Sequence, residues 1–221
     1  MDKTIHDVGF VFLDDSIQQD LMYSTPHNFT GAVVPGYIAK RAIFTKQAAQ
    51  ALLGVENQLQ NQGYALLVKD TYRPNRAVQF FKIEWKNMPD HLEMKQLYYP
   101  NLTKAYLFEN GFIAKHYSRH SSGSTIDLTV IDLKTNKEID MGAPVDFFGP
   151  ISNVGYPGLT DTQKKNRALL SEAMKANGFE EMTSEWWHYT LANEPYANQA
   201  FDFVYDDTGK IVSGEITPIA W

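Results

Sequence analysis

Apolar residues recur at helical spacing in three parts of the chain. The first pattern begins near Thr45 and ends before Gly63, which provides a C-terminal stop. A second helical stretch covers residues 75–85, and a third covers residues 160–177. The apolar face of the first predicted helix consists of Ala48, Leu52, Val55 and Leu59.

Three shorter apolar runs predict strands, at residues 64–69, 126–132 and 186–191. In the middle run Ile126, Leu128 and Val130 alternate with polar residues, so Asp127 should point away from the aliphatic row. Helices and strands intermix without regular βαβ spacing, and glycine-rich phosphate loops are absent from the sequence. We therefore expect a mixed α+β fold with a mainly antiparallel sheet and flanking helices.

No repeat or linker divides the 221 residues, so we expect a single domain spanning residues 1–221. Residues 1–44 are predicted to form a loop-rich N-terminal cover, and residues 45–221 the core of helices and sheet. Within the cover, residues 23–37 mix turn formers with aromatic residues, a composition typical of a segment that covers a core or a cleft.

The amino-acid composition limits which binding partners and metal ligands the protein can have. The net charge is −6, which argues against nucleic acid or an anionic membrane as partner. The sequence lacks cysteine, so any metal must be bound through nitrogen and oxygen. The N-terminal residues lack the apolar core of a signal peptide, and no run approaches the ~18 apolar residues of a membrane span. We expect a cytoplasmic protein, or a periplasmic one if a signal peptide has been removed.

Candidate metal ligands lie in two short motifs, SRHSSGSTID at residues 118–127 and EWWH at residues 185–188. They supply His120, Asp127 and His188, and catalytic zinc sites typically use three such protein ligands and leave a position for water. Glu185 precedes the last ligand by three residues and is a candidate general base. The pattern indicates a zinc hydrolase.

Period-2 geometry adds detail to this site. His120 should lie in the serine-rich and glycine-rich segment before the strand that carries Asp127, and Glu185 should lie in the turn that enters the strand of His188. We expect the other histidines to be partly buried rings with satisfied hydrogen bonds outside the site. These are His6, His27, His91 and His116.

The segment DTYRP at residues 70–74 places Arg73 at a junction between a strand and a helix. Pro74 biases Arg73 toward an extended backbone and suits the first turn of the following helix, so the guanidinium should overlook a cleft. Asp70 either orients this guanidinium or caps a turn, and the sequence favours neither role.

The two motifs, together with DMGAPVDFF at residues 140–148, resemble those of the zinc D-alanyl-D-alanine dipeptidases associated with vancomycin resistance. More distantly they are similar to zinc D,D-carboxypeptidases and hedgehog-type metallopeptidases. The resemblance implies one Zn²⁺ per chain on His120, Asp127 and His188, with Glu185 as catalytic base. It also implies that Arg73 stabilises the developing oxyanion.

A dipeptide substrate needs partners for both of its charged ends. We expect Asp146 and Tyr23 at the ammonium end and Ser118 and Ser121 at the carboxylate end, although both serines suit a backbone-turn role equally well. We also expect Asp70 among the substrate-binding residues.

Two other functions compete with the dipeptidase. A D,D-carboxypeptidase or L,D-endopeptidase would need an open groove for a peptidoglycan stem peptide, whereas the 23–37 loop and Asp146 favour a closed pocket. A binding module with structural zinc would not need a base, and Glu185 is present. The oligomeric state is not predicted.

Overall fold

A six-stranded, largely antiparallel sheet lies at the centre of the protein, whose computed structural model describes residues 3–221. Its strands run in the order β2-β4-β5-β8-β7, and β6 pairs with β5 beside this path. All pairings are antiparallel except that of β2 with β4. The strands are β2 (Gln18–Gln19), β4 (Tyr64–Asp70), β5 (Thr125–Asp132), β6 (Lys137–Glu138), β7 (Phe179–Glu181) and β8 (His188–Leu191).

Two small antiparallel pairs complete the β structure. The first joins β1 (Phe10–Phe12) to β3 (Ile43–Thr45), and the second joins β9 (Gln199–Tyr205) to β10 (Ile211–Ala220). The N-terminal segment, predicted to be loop-rich, supplies short strands to two of these sheets.

Five α-helices surround these sheets: α1 (Lys46–Gln60), α2 (Asn75–Gln79), α3 (Leu92–Tyr98), α4 (Lys104–Glu109) and α5 (Asp161–Ala176). The structure confirms α1 and α5 close to their predicted bounds. Thr160 caps α5 by accepting a hydrogen bond from the Gln163 backbone, and the Gln163 side chain returns the contact. The helix predicted over residues 75–85 is helical throughout but not one α-helix. After α2 it continues as a π-helix at Phe80–Glu84 and a 3-10 turn at Trp85–Asn87.

The apolar residues divide into a main core and a smaller one. The main core packs α1 and α5 against the aliphatic residues of β4 and β5, and continues into aromatic residues of the N-terminal segment. In the smaller core Tyr72 stacks on Phe203, with ring centroids 4.5 Å apart, and its hydroxyl bonds both backbone polar groups of Phe203. This contact fixes the chain directly after β4, where Arg73 follows.

β5 is buried on both faces from Thr125 to Ile131. The aliphatic row faces the main core as predicted, and Asp127 faces a cavity enclosed by loops. Elsewhere the strand predicted from residue 186 begins two residues later, at His188, because Trp186 and Trp187 form a turn. Among residues 3–221, none of the helices has the length and apolar character needed to cross a bilayer.

Candidate metal centre and active site

Strand register brings the central carboxylates and one histidine into a row. Asp127 on β5 lies directly opposite His188 on β8, and on its other side it lies opposite Asp70, the last residue of β4. Paired residues on neighbouring strands have close side chains on the same face. Residues separated by up to 118 positions in sequence therefore meet at one edge of the cavity.

His120 reaches the same point from a 3-10 turn at Arg119–Ser122, immediately before β5. The turn ends at Gly123, whose φ of 80° and contact with Phe10 leave no room for a side chain. The His120 Nδ1 atom lies 2.7 Å from the backbone oxygen of Thr71. Because a carbonyl only accepts hydrogen bonds, Nδ1 carries the proton and Nε2 presents a lone pair.

This arrangement fits a metal ion. His120 Nε2 lies 3.1 Å from Asp127 Oδ2 without forming a hydrogen bond, and His188 Nδ1 lies 3.0 Å from Asp127 Oδ1. One ligand atom from each residue can be chosen so that all three lie within 4.8 Å of one another. Ligands at 2.0–2.1 Å from a tetrahedral zinc are about 3.3 Å apart, so these separations suit the ion. The buried Nε2 lone pair of His120 faces an oxygen of the Asp127 carboxylate. A cation between these two atoms would bind both of them.

The three groups are almost completely buried and strongly coupled. Burial alone would raise the pKa of Asp127, but His120 and His188 together hold that pKa well below its usual range. Burial alone would lower the pKa of His188, and the hydrogen bond and charge of Asp127 raise it instead. An ionised carboxylate between two imidazoles is the expected state of a metal-binding carboxylate.

Glu185 lies in the turn before β8, as predicted, with its Oε2 atom 3.4 Å from His188 Nδ1. Its side chain is 17% exposed and lines the cavity. Burial raises its pKa to about 7, with Asp127 adding to the rise and His188 opposing it. A carboxyl group with a pKa near neutrality can both accept and return a proton.

Arg73 lines the cavity three residues after β4 ends. Its Nε donates to Asp70 Oδ2 over 2.9 Å, and its Nη2 donates to Asp127 Oδ2 over 3.3 Å. Tyr37 donates to the other oxygen of Asp70 over 2.8 Å. These hydrogen bonds fix the orientation of the guanidinium. Pro74, which was expected in the first turn of the following helix, is instead the N-cap of α2.

Asp146 and Tyr23 also line the cavity, and the guanidinium carbon of Arg73 lies 4.9 Å from the centre of the Tyr23 ring. The Tyr23 hydroxyl donates to Asp146 Oδ2, and both residues are buried. Burial, with the charge of Asp127 adding to it, raises the pKa of Asp146 to about 8. Asp146 adopts a left-handed backbone, with φ 63°, which directs an acid into a largely apolar wall.

These groups line one partly open cavity of about 180 Å³. At ~30 Å³ for each water molecule, this volume equals about six waters and suits a ligand of dipeptide size. The 23–37 loop covers one side through Tyr23 and Phe29, as its composition predicted. Sequence reasoning did not find the remaining aromatic and apolar walls, which are Val78, Phe81, Phe112, Ile113, Tyr117, Phe148 and Met182.

Two of the expected substrate-binding residues have other contacts. Ser121 does not line the cavity, because its hydroxyl donates to the Arg73 backbone oxygen over 2.8 Å, so a carboxylate-binding role is corrected to a backbone one. Asp70 also lies behind the cavity wall, where it orients Arg73. Ser118 does line the cavity, and its Oγ accepts from the His120 backbone, which leaves its own proton for another partner.

The four histidines set aside in the sequence lie outside this cavity, as expected. The expectation that their rings are partly buried is wrong, because all four are exposed. They are His6, His27, His91 and His116.

Two imidazoles and a carboxylate around a cation site, with a buried carboxyl group of near-neutral pKa beside them, define a metallohydrolase centre. The model of the family described as D-ala-D-ala dipeptidase matches residues 1–206. The chain belongs to this family of metallopeptidases, which confirms the resemblance of its motifs and the hydrolase class.

Three relatives match this chain over more than four fifths of their own length. The D-alanyl-D-alanine dipeptidase of Enterococcus faecium is 40% identical over 200 residues, or 89% of this chain and 98% of the relative. The protein of the same name from Streptomyces coelicolor is 39% identical, over 88% of this chain and 96% of the relative. That from Escherichia coli K12 is 31% identical, over 84% and 83%.

Proposed function

We propose that this protein is a zinc-dependent dipeptidase that hydrolyses D-Ala-D-Ala to two molecules of D-alanine. The observation that carries the proposal is a single cavity lined by the three candidate metal ligands, Glu185, Arg73 and the buried Asp146. The names of the relatives support the substrate.

His120, Asp127 and His188 would hold the zinc, and the absence of cysteine is consistent with this nitrogen and oxygen ligand set. When bound, zinc supplies the Lewis acidity that activates water and polarises a carbonyl group. The Thr71 carbonyl keeps His120 in the tautomer with a free Nε2 lone pair.

Glu185 acts as the general base and then as the general acid. It removes a proton from the attacking water and returns it to the leaving amine nitrogen as the peptide bond breaks. Its location beside His188 puts the carboxylate at the metal centre, and its raised pKa of about 7 suits both proton transfers.

Arg73 stabilises the negative charge that develops on the carbonyl oxygen of the scissile bond. Its bonds to Asp70 and Asp127 hold the guanidinium before substrate arrives, so little reorganisation is needed during reaction. Asp146 accepts a hydrogen bond from the substrate ammonium, and the Tyr23 hydroxyl keeps its carboxylate in place.

The wall of the cavity at Asp146 favours a free dipeptide over a stem peptide. A longer peptide would have to continue past Asp146, which accepts a hydrogen bond from Tyr23, and Phe29 packs against both Tyr23 and Phe148 there. The carboxypeptidase and endopeptidase alternatives both require this end to be open.

We also propose that the partner is a small dipeptide alone. The net charge of −6 supports the absence of nucleic-acid and anionic membrane partners. A cytoplasmic location stays a prediction, for which cell fractionation with an antibody against the protein is the test.

A substrate panel tests the proposed reaction. The zinc-loaded protein should release D-alanine from D-Ala-D-Ala and should be inactive on N-acetyl-D-Ala-D-Ala and on a stem pentapeptide. L-Ala-L-Ala measures stereochemical selectivity. Comparable rates on the pentapeptide would replace the dipeptidase by a carboxypeptidase, and no release from any substrate would reject the peptidase proposal.

A further inference from the structure

Neither Arg73 nor the two serines beside His120 supply a free cation for the carboxylate end of a bound dipeptide. Arg73 is engaged by Asp70 and Asp127, and Ser121 is engaged by a backbone oxygen outside the cavity. Ser118 offers one neutral hydroxyl. A substrate carboxylate removed from water needs stronger compensation than one neutral hydrogen bond provides.

Arg119 is the second arginine that lines the cavity. It directly precedes the metal ligand His120 and follows Ser118, and it also lines an outer, open cavity with Lys115, His116, Tyr117 and Trp221. Arg119 therefore lies where the active-site cavity meets solvent, on the side of the turn that carries His120.

The guanidinium of Arg119 has no ion-pair partner within 4.0 Å among residues 3–221. Glu194 senses the charge of Arg119, because burial raises the pKa of Glu194 and Arg119 opposes the rise. Glu194 instead accepts a hydrogen bond from Ser122. Arg119 thus differs from Arg73, whose charge is balanced within the protein.

We propose that Arg119, assisted by the Ser118 hydroxyl, binds the C-terminal carboxylate of the substrate and sets the specificity for dipeptides with a free C-terminus. This inference rests on the proposed dipeptidase function and names a residue that specifies its substrate.

The distribution of charge along the cavity supports this orientation. Of the charged residues that line the cavity beside the metal ligands, Asp146 is buried and Glu185 partly buried, whereas Arg119 is exposed at the rim. A zwitterionic dipeptide lying between them has its ammonium at Asp146, its scissile carbonyl at the metal centre and its carboxylate at the rim. The reversed orientation would place a carboxylate beside Asp146.

The test compares D-Ala-D-Ala with its C-terminal amide, which keeps the ammonium and the scissile bond but lacks the carboxylate charge. Arg119→Gln should lower kcat/KM for the free acid by about tenfold to a hundredfold, the effect expected for a charged hydrogen bond. It should leave kcat/KM for the amide within about threefold. Arg119→Lys should recover part of the activity on the acid, because it restores the charge without the planar fork.

Lys115→Gln is the matched control. It removes the same charge from the same rim, but Lys115 lines only the outer cavity, so it should change neither substrate by more than about twofold. Zinc content and melting temperature verify that each variant is folded.

Equal losses on acid and amide in Arg119→Gln would show a structural role and overturn the inference. An unchanged rate on the acid, or an equal effect of Lys115→Gln, would also overturn it. If the wild-type protein cleaves D-Ala-D-Ala but does not prefer the acid over the amide, the inference fails while the dipeptidase survives. If it cleaves neither, the proposed function fails and the inference falls with it.

Discussion

Asp146→Asn tests the recognition of the substrate ammonium. The substitution keeps the shape of the side chain and its hydrogen bond from Tyr23. Asp146 is 5% exposed, and its pKa of about 8 leaves it protonated near neutral pH in the free protein, so the substitution removes the charge that forms when a substrate ammonium pairs with it. Loss of a buried charge partner costs about 2–5 kcal/mol, which corresponds to a decrease of about 30-fold to several thousandfold in kcat/KM. The upper part of this range applies because little water can reach the site to replace the lost partner.

The assay measures D-alanine release from D-Ala-D-Ala and from N-acetyl-D-Ala-D-Ala. N-acetylation should abolish turnover by wild-type protein, because it leaves the Asp146 carboxylate unpaired in an apolar wall. Asp146→Asn should narrow the difference between the two substrates by impairing only the free dipeptide. Asp140→Asn, an exposed acid in the same segment and outside the active cavity, should have little effect. Wild-type activity on the acetylated substrate equal to that on the free dipeptide would refute the reasoning.

The same residue predicts a pH effect on the stability of the metal-free protein. With its pKa raised to about 8, folded Asp146 holds a proton that the unfolded chain has already released, so stability falls as pH rises from the ordinary carboxyl range to about 8. The slope contributed by Asp146 is at most ~1.4 kcal/mol per pH unit. Asp146→Asn should therefore raise the melting temperature more at pH 8 than at pH 5. An equal change at both pH values would contradict the assigned burial effect.

Four further substitutions and one control separate the remaining roles. Glu185→Gln should keep zinc and lose about 10²- to 10⁴-fold in kcat. The control Glu180→Gln, at an exposed position, should retain activity. If Glu185→Gln lowers kcat by only a few-fold, Glu185 is not the base. Arg73→Ala should keep zinc and lower kcat/KM by about 10²- to 10³-fold, and an effect on KM alone would instead indicate ground-state binding. His120→Ala and His188→Ala should each reduce zinc below one equivalent per chain by elemental analysis, and a folded variant with a full equivalent would remove that residue from the ligand set.

The metal centre was predictable because its residues lie in contiguous motifs whose chemistry is specific. The sequence did not reveal why they meet, since the pairing of Asp127 with His188 depends on the register of strands that are far apart in the chain. The tautomer of His120 likewise depends on the Thr71 backbone, which no side-chain pattern reports.

Helices with long apolar periodicity were also predictable, as α1 and α5 show. Short strands were not, because β1 and β2 contain three and two residues and carry too little pattern to detect. The cavity walls come from separate loops, so Phe29, Phe81 and Phe148 converge only in the folded chain. Ser121 was assigned to the substrate from its place in the motif, whereas its hydroxyl is directed to a backbone oxygen.

The most direct test of the account is a zinc titration of the metal-stripped protein, with D-alanine release from D-Ala-D-Ala measured at each addition. A zinc dipeptidase should release no D-alanine without metal. The rate of release should rise linearly with added zinc and reach a plateau at one zinc ion bound per chain. Full activity in the stripped protein, or no hydrolysis after one equivalent has bound, would contradict it.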